Sequence, residues 1–280
     1  MRIYLVDNGS LRPESWANLS RVALILSQRL GVNVEPVSVL HSTRIDPDLI
    51  PAHCPPTMTW ERATQAALAE GERTFLILPF FFGPTGAIID YLPERKAKIV
   101  EKQGDFELHI APFLGDCVPG ERGGLVDLLA DQTRALGTAK GLNNAPVILV
   151  DHGSPKKDVA ALRDSLGESL AVILKDAAES VSVASMERRE GPAYAFNEPL
   201  LERALIEPTL PASDVIIALL FLSPGRHAGP GGDIATICAE AEAARPGLRA
   251  HMADLVGQHE GIVDLLEARY HAALEAMTSD

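Results

Sequence analysis

Apolar runs along this chain alternate with stretches whose apolar positions recur every three or four residues, and the whole alternation is written twice. The first half reads "IYLVD" at 3–7, a helical pattern over 14–30, "VEPVSVL" at 34–40, a second helical pattern near 60–70, and "FLILPFFF" at 75–82. The second half repeats that order with "VILVD" at 147–151, a helix carrying Val159, Leu162, Leu166, Leu170 and Ile173, "VSVAS" at 181–185, a helix near 198–206, and "VIIALLFL" at 215–222. The endings correspond too, since "GLVDLLADQTRAL" at 124–136 is answered by "GIVDLLEARYHAAL" at 261–274.

This pattern predicts an α/β protein, a tandem repeat of two β-α-β-α-β-α-β-α units. The strands are continuous apolar runs rather than alternating ones, so both of their faces are buried. Each unit is therefore expected to be a four-stranded parallel sheet with helices on both faces. The expected domains are 1–140 and 145–280, joined through the glycine- and asparagine-containing stretch 136–146.

The chain has 280 residues, ample for two cores, and its 46% hydrophobic and 22% charged residues are those of a globular protein. A net charge of -13 argues against a nucleic-acid binder, which needs a basic patch. The longest apolar runs fall short of the roughly 20 residues needed to span a bilayer, and the first residues have no secretory pattern. The expected location is the cytoplasm, without membrane contact. The three cysteines, Cys54, Cys117 and Cys238, are scattered and form no C-x-x-C pair.

Ligands of open parallel sheets bind beyond the carboxyl ends of the strands. In the second half these exits carry Asp151-His152, then Met186-Glu187-Arg188, then Arg226-His227. Each residue alone has an ordinary explanation: a turn histidine, the start of the charged run "ERRE", a loop rich in proline and glycine. Together they place two imidazoles and a carboxylate at one sheet edge. The first half acts as an internal control, with Asn8 opposite His152, Thr43 opposite Glu187 and Gly86 opposite His227. All three ionisable groups are missing there while "LVD-GS" persists, which suggests that they act as a set.

The segments "LVDHGSP" at 149–155, "FLSPGRHAGPGGDI" at 221–234 and "LVGQHEGIVDLLEAR" at 255–269 resemble the class II tetrapyrrole chelatases, the sirohydrochlorin cobalt- and iron-chelatase family. The resemblance covers the second half well and the first half as a degenerate copy. It implies flavodoxin-like, chelatase-like domains and insertion of Co2+ or Fe2+ into sirohydrochlorin in cobalamin or siroheme biosynthesis. The metal is then a substrate, and no organic cofactor is implied. His152 and His227 match the family's two active-site histidines, and Glu187 matches its acidic metal-site residue, with Glu190 as a substitute. All three are expected to be both catalytic and metal-binding. Asp233 is expected only to cap a helix.

The chemistry suits these groups, because neutral imidazole ligates Co2+ and Fe2+ and also accepts a proton near neutral pH. Sirohydrochlorin carries many carboxylates, and Lys156, Lys157, Arg188, Arg189 and Arg226 flank the strand exits. Substrate contacts are expected from Ser154, Lys156, Arg188 and Arg226. The fused repeat is expected to act as a monomer, an internal pseudo-dimer. The alternative reading is a non-catalytic tetrapyrrole or metal carrier of the same fold.

Overall fold

The computed structural model describes residues 1–118, 124–142, 144–211 and 213–279. Its first repeat runs β1 (Arg2–Asp7), α1 (Pro13–Leu30), β2 (Val34–Ser38), α2 (Trp60–Ala69), β3 (Thr74–Pro79), α3 (Leu92–Gln103), β4 (Glu107–Ile110) and α4 (Leu125–Lys140). The second runs β5 (Val147–Asp151), α5 (Lys157–Ile173), β6 (Val181–Ser185), α6 (Leu201–Ile206), β7 (Asp214–Leu219), α7 (Asp233–Ala244), β8 (Arg249–Leu255) and α8 (Ile262–Ser279). The two four-stranded sheets are parallel throughout and have the same order, β2-β1-β3-β4 and β6-β5-β7-β8. The α/β class and the repeated four-stranded sheet expected from the sequence are both present.

Central strands are enclosed as their composition demands: Leu5, Val6, Leu149, Val150, Phe75 and Ile217 are fully buried. Burying such side chains stabilises the fold by about 1.5–3 kcal/mol each. Parallel pairing brings β5, β6 and β7 to one carboxyl edge, with Asp151 opposite Ser185 and Val150 opposite Leu219.

The compact units and the sequence repeats do not share boundaries. One unit is Met1–Arg122 with Val263–Asp280, and the other is Gly123–Ile262. Each repeat's last helix therefore belongs to the other repeat's sheet. Corresponding residues make the same bond in each unit: in the second, Gln132 of α4 donates to Leu255 O at 2.9 Å, and in the first, Arg269 of α8 donates to Phe113 O at 2.9 Å.

Three local expectations change. Because α4 continues to Lys140, the connection to β5 is shorter than 136–146; Asn143 within it lies outside the described residues. The helix expected near 198–206 starts at Leu201, since Glu198 precedes Pro199 and is held extended, at φ -77° and ψ 152°. The face that α5 buries is Ala160, Arg163, Leu166, Gly167 and Leu170, with Val159, Leu162 and Ile173 only partly covered. Gly167 makes this rotation possible, because a Cβ there would stand 2.2 Å from Val183 Cγ1.

Candidate active site

His152 follows β5 directly, and Gly153 after it has φ +91°. That left-handed turn is required by crowding as well as by backbone shape: a Cβ on Gly153 would stand 1.9 Å from Glu187 O. The exits of β5 and β6 are laced by backbone bonds, Met186 N to Asp151 O at 2.8 Å and Glu187 N to His152 O at 3.1 Å. The same contacts in the first repeat run from Val39 N to Asp7 O and from Leu40 N to Asn8 O. The residue corresponding to Glu187 is thus Leu40, not Thr43, which corresponds to Glu190. The expected pairing with Thr43 differs by three residues because this loop has no periodicity to fix its register.

The structure brings His152, Glu187 and His227 together. The two imidazole rings meet edge to face with centroids 4.6 Å apart, and His152 Nε2 lies 3.5 Å from Glu187 Oε1. Glu190 stands outside this contact. His152 is 44% exposed and Glu187 61%, so the cluster opens to solvent. Among the described residues no three His, Cys, Asp or Glu side chains form a ready-made metal cage.

Both histidines have one ring nitrogen committed. His152 Nδ1 is 3.0 Å from Gly153 O, and His227 Nδ1 is 2.7 Å from Asp233 Oδ2. A carbonyl oxygen and a carboxylate only accept, so Nδ1 is the donor in each pair, which leaves Nε2 as the ligating nitrogen of each ring when it is neutral. Metal-ligating histidines are characteristically held in this way. Asp233 is therefore not the cap expected from the sequence: Gly232 holds the N-cap position of α7, and the Asp233 side chain, in the first turn, orients His227. The spacing of "HAGPGGD" hid that role, since a loop has no fixed repeat from which to infer a contact.

The other candidates are spread around this pair. Ser154 Oγ accepts from Lys156 N at 3.0 Å, closing the turn after His152. Arg188 is held by Glu198, with Nε donating to Oε1 at 2.6 Å, and by Gly191 O at 3.0 Å. Arg226 is largely exposed, with Nε 3.6 Å from Asp233 Oδ2. Beneath the histidines Asp151 is buried, and burial pushes its carboxyl above the ordinary range, opposed by the Ser185 hydroxyl and the nearby Arg163 charge. In the first unit burial pushes Asp7 up to about 6.

A repeated 2-1-3-4 parallel sheet with two oriented imidazoles at a strand-exit edge defines a chelatase-like α/β protein. Residues 146–273 match the CbiX family model, in line with the resemblance of this half to the class II chelatases. No curated protein matches the chain. Among solved structures, SirB from Bacillus subtilis with Fe3+ matches at 14% identity and TM-score 0.67, over 99% of this chain and 98% of that one. A cobalt complex of the sirohydrochlorin chelatase SirB from Bacillus subtilis subspecies spizizenii matches at 14% identity and TM-score 0.65, over 100% and 97%. CbiX, described as the terminal enzyme of siroheme biosynthesis in denitrifying bacteria, matches at 16% identity and TM-score 0.60, over 98% and 99%. These likenesses establish the shared fold. No helix among the described residues is long and apolar enough to cross a membrane.

Proposed function

We propose that this protein inserts a divalent metal, Co2+ or Fe2+, into sirohydrochlorin, with His152, His227 and Glu187 carrying the reaction. The observation that carries this reading is the pair of adjoining imidazoles, each with Nδ1–H engaged, beside a carboxylate. The names of the SirB and CbiX relatives point to the same substrate.

Insertion replaces two N–H bonds of the macrocycle with metal–nitrogen bonds and releases two protons. One imidazole Nε2 ligates the incoming ion while the other, with Glu187, takes up protons as they leave the ring. The cluster is open and not a closed cage, which suits an ion that must be handed on. Exposed Arg226 and the lysines after His152 supply positive charge for the substrate's carboxylates, whereas Arg188, already paired with Glu198, acts mainly to hold the Glu187 loop. A single chain is proposed to suffice as a monomer.

Purified protein incubated with sirohydrochlorin and Co2+ or Fe2+ tests the reading by absorbance. Many turnovers per chain are expected with at least one of the metals. A stoichiometric spectral shift that stops after one equivalent would replace the enzyme with a carrier.

A further inference from the structure

A buried guanidinium lies beneath the histidine pair. Arg163 on α5 is only 1% exposed, and Asp151 and Ser185, at the ends of β5 and β6, are 5% and 0% exposed. Arg163 Nη1 donates to Ser185 Oγ and lies 3.6 Å from Asp151 Oδ1, to which Ser185 Oγ donates at 2.6 Å. Its Nη2 reaches Phe196 O at 3.1 Å, and Nη2 and Nε both donate to the half-exposed Asp164 Oδ1 of the same helix, at 2.6 and 2.9 Å. The next residue, buried Asn197, accepts from Ser154 N at 3.0 Å and donates to Ser154 O at 2.9 Å. One cation thus ties α5 to both strand exits and to the turn that grips the loop after His152.

Such a group is costly to enclose, since each buried ion loses several kcal/mol of hydration that only well-formed contacts recover. The first repeat shows that the sheet forms without it. Asp7 and Ser38 pair in the same register as Asp151 and Ser185. Leu19, however, stands where Arg163 does and Pro56 where Asn197 does, and Pro55 O accepts instead from Trp16 Nε1 at 2.8 Å. Asp7 Oδ1 and Ser38 Oγ are left buried with no hydrogen-bond partner among the described residues. The half without His152 and Glu187 is also the half without the arginine and the asparagine.

We propose that Arg163, acting through Asp151, Ser185 and the turn ending at Asn197, is a positioning residue that fixes His152 relative to Glu187 for metal insertion, with Asn197 as its second member. The proposal rests on the chelatase reading of the site. Neither residue touches metal or substrate. Their effect passes through the backbone bonds that lace the two exits, Met186 N to Asp151 O and Glu187 N to His152 O.

Arg163→Leu alone strands the buried Asp151 carboxylate, so the informative variant is Arg163→Leu with Asp151→Asn, which removes both buried charges and leaves only Asp164, half exposed to solvent, without its partner. Asn197→Ala, which removes none, is measured beside it. For each, circular dichroism reports the fold, calorimetry reports Co2+ binding without tetrapyrrole, and steady-state absorbance gives kcat and KM for sirohydrochlorin. Retained secondary structure, with Co2+ affinity and kcat each lowered roughly 10- to 100-fold and KM for the tetrapyrrole little changed, is the expected result. A folded variant of either kind with the Co2+ affinity and kcat of the wild type overturns the positioning role. Wild-type protein that inserts neither metal would overturn the chelatase reading instead, so the two failures are distinct.

Discussion

His227 donates its Nδ1–H to Asp233 Oδ2 at 2.7 Å, across the glycine-rich loop that carries the histidine and into the first turn of the helix that follows. The bond selects the tautomer with a free Nε2. Asp233→Ala should release that selection, giving a tautomer mixture in the 15N spectrum of the His227 ring. Metal insertion should fall roughly 10- to 100-fold, the usual consequence of losing such a partner. An unchanged 15N signature would mean that the loop alone sets the ring.

Gly153 and Gly31 both have positive φ, +91° and +68°, but only Gly153 is crowded, by Glu187 O. Gly31→Ala should cost only the backbone strain, on the order of 1 kcal/mol. Gly153→Ala must also move Glu187 away from His152. It should therefore lower the thermal midpoint further and abolish most insertion, as thermal melts and the absorbance assay on the two variants would show.

Asp7 gives the first unit a pH-dependent liability. Its carboxyl is raised in the fold from 3.8 to about 6 by burial, so the folded state binds the proton more tightly than the unfolded chain. The associated stability is full below pH 3.8 and is lost as pH rises through about 6. The loss is about 3 kcal/mol. Asp7→Asn should accordingly raise the urea midpoint at pH 7.5 and gain little at pH 4. An equal gain at both pH values would mean that ionisation of Asp7 is not the cause.

Much of this was legible in the sequence, and the reasons are physical. Continuous apolar strands and three- and four-residue helical spacing define the repeat, and parallel pairing then forces His152, Glu187 and His227 to one edge. The supporting partners were not legible. Arg163 occupies the buried face of α5, where pattern reading put Leu162, because Gly167 lets the helix turn that face toward β6. Asn197 and Asp233 act across loops, where residue spacing predicts no contact. The exchange of α4 and α8 between compact units was hidden as well, since the two helices have nearly the same apolar pattern.

On the proposed chelatase reading, the doubled phrase with asparagine in one copy and histidine in the other predicts one working site in the chain. Asn8 lies at the first unit's counterpart of the His152 position, with Leu40 rather than a carboxylate beyond it.

The most direct measurement is the rate of metal insertion into sirohydrochlorin by wild-type protein, His152→Ala, His227→Ala and Asn8→Ala, with folding of each checked by circular dichroism. Loss of a metal ligand or proton acceptor should lower the rate roughly 100-fold or more for each histidine variant. Asn8→Ala should retain most of it. Equal losses from Asn8→Ala and His152→Ala, or histidine variants as active as wild type, would contradict the account.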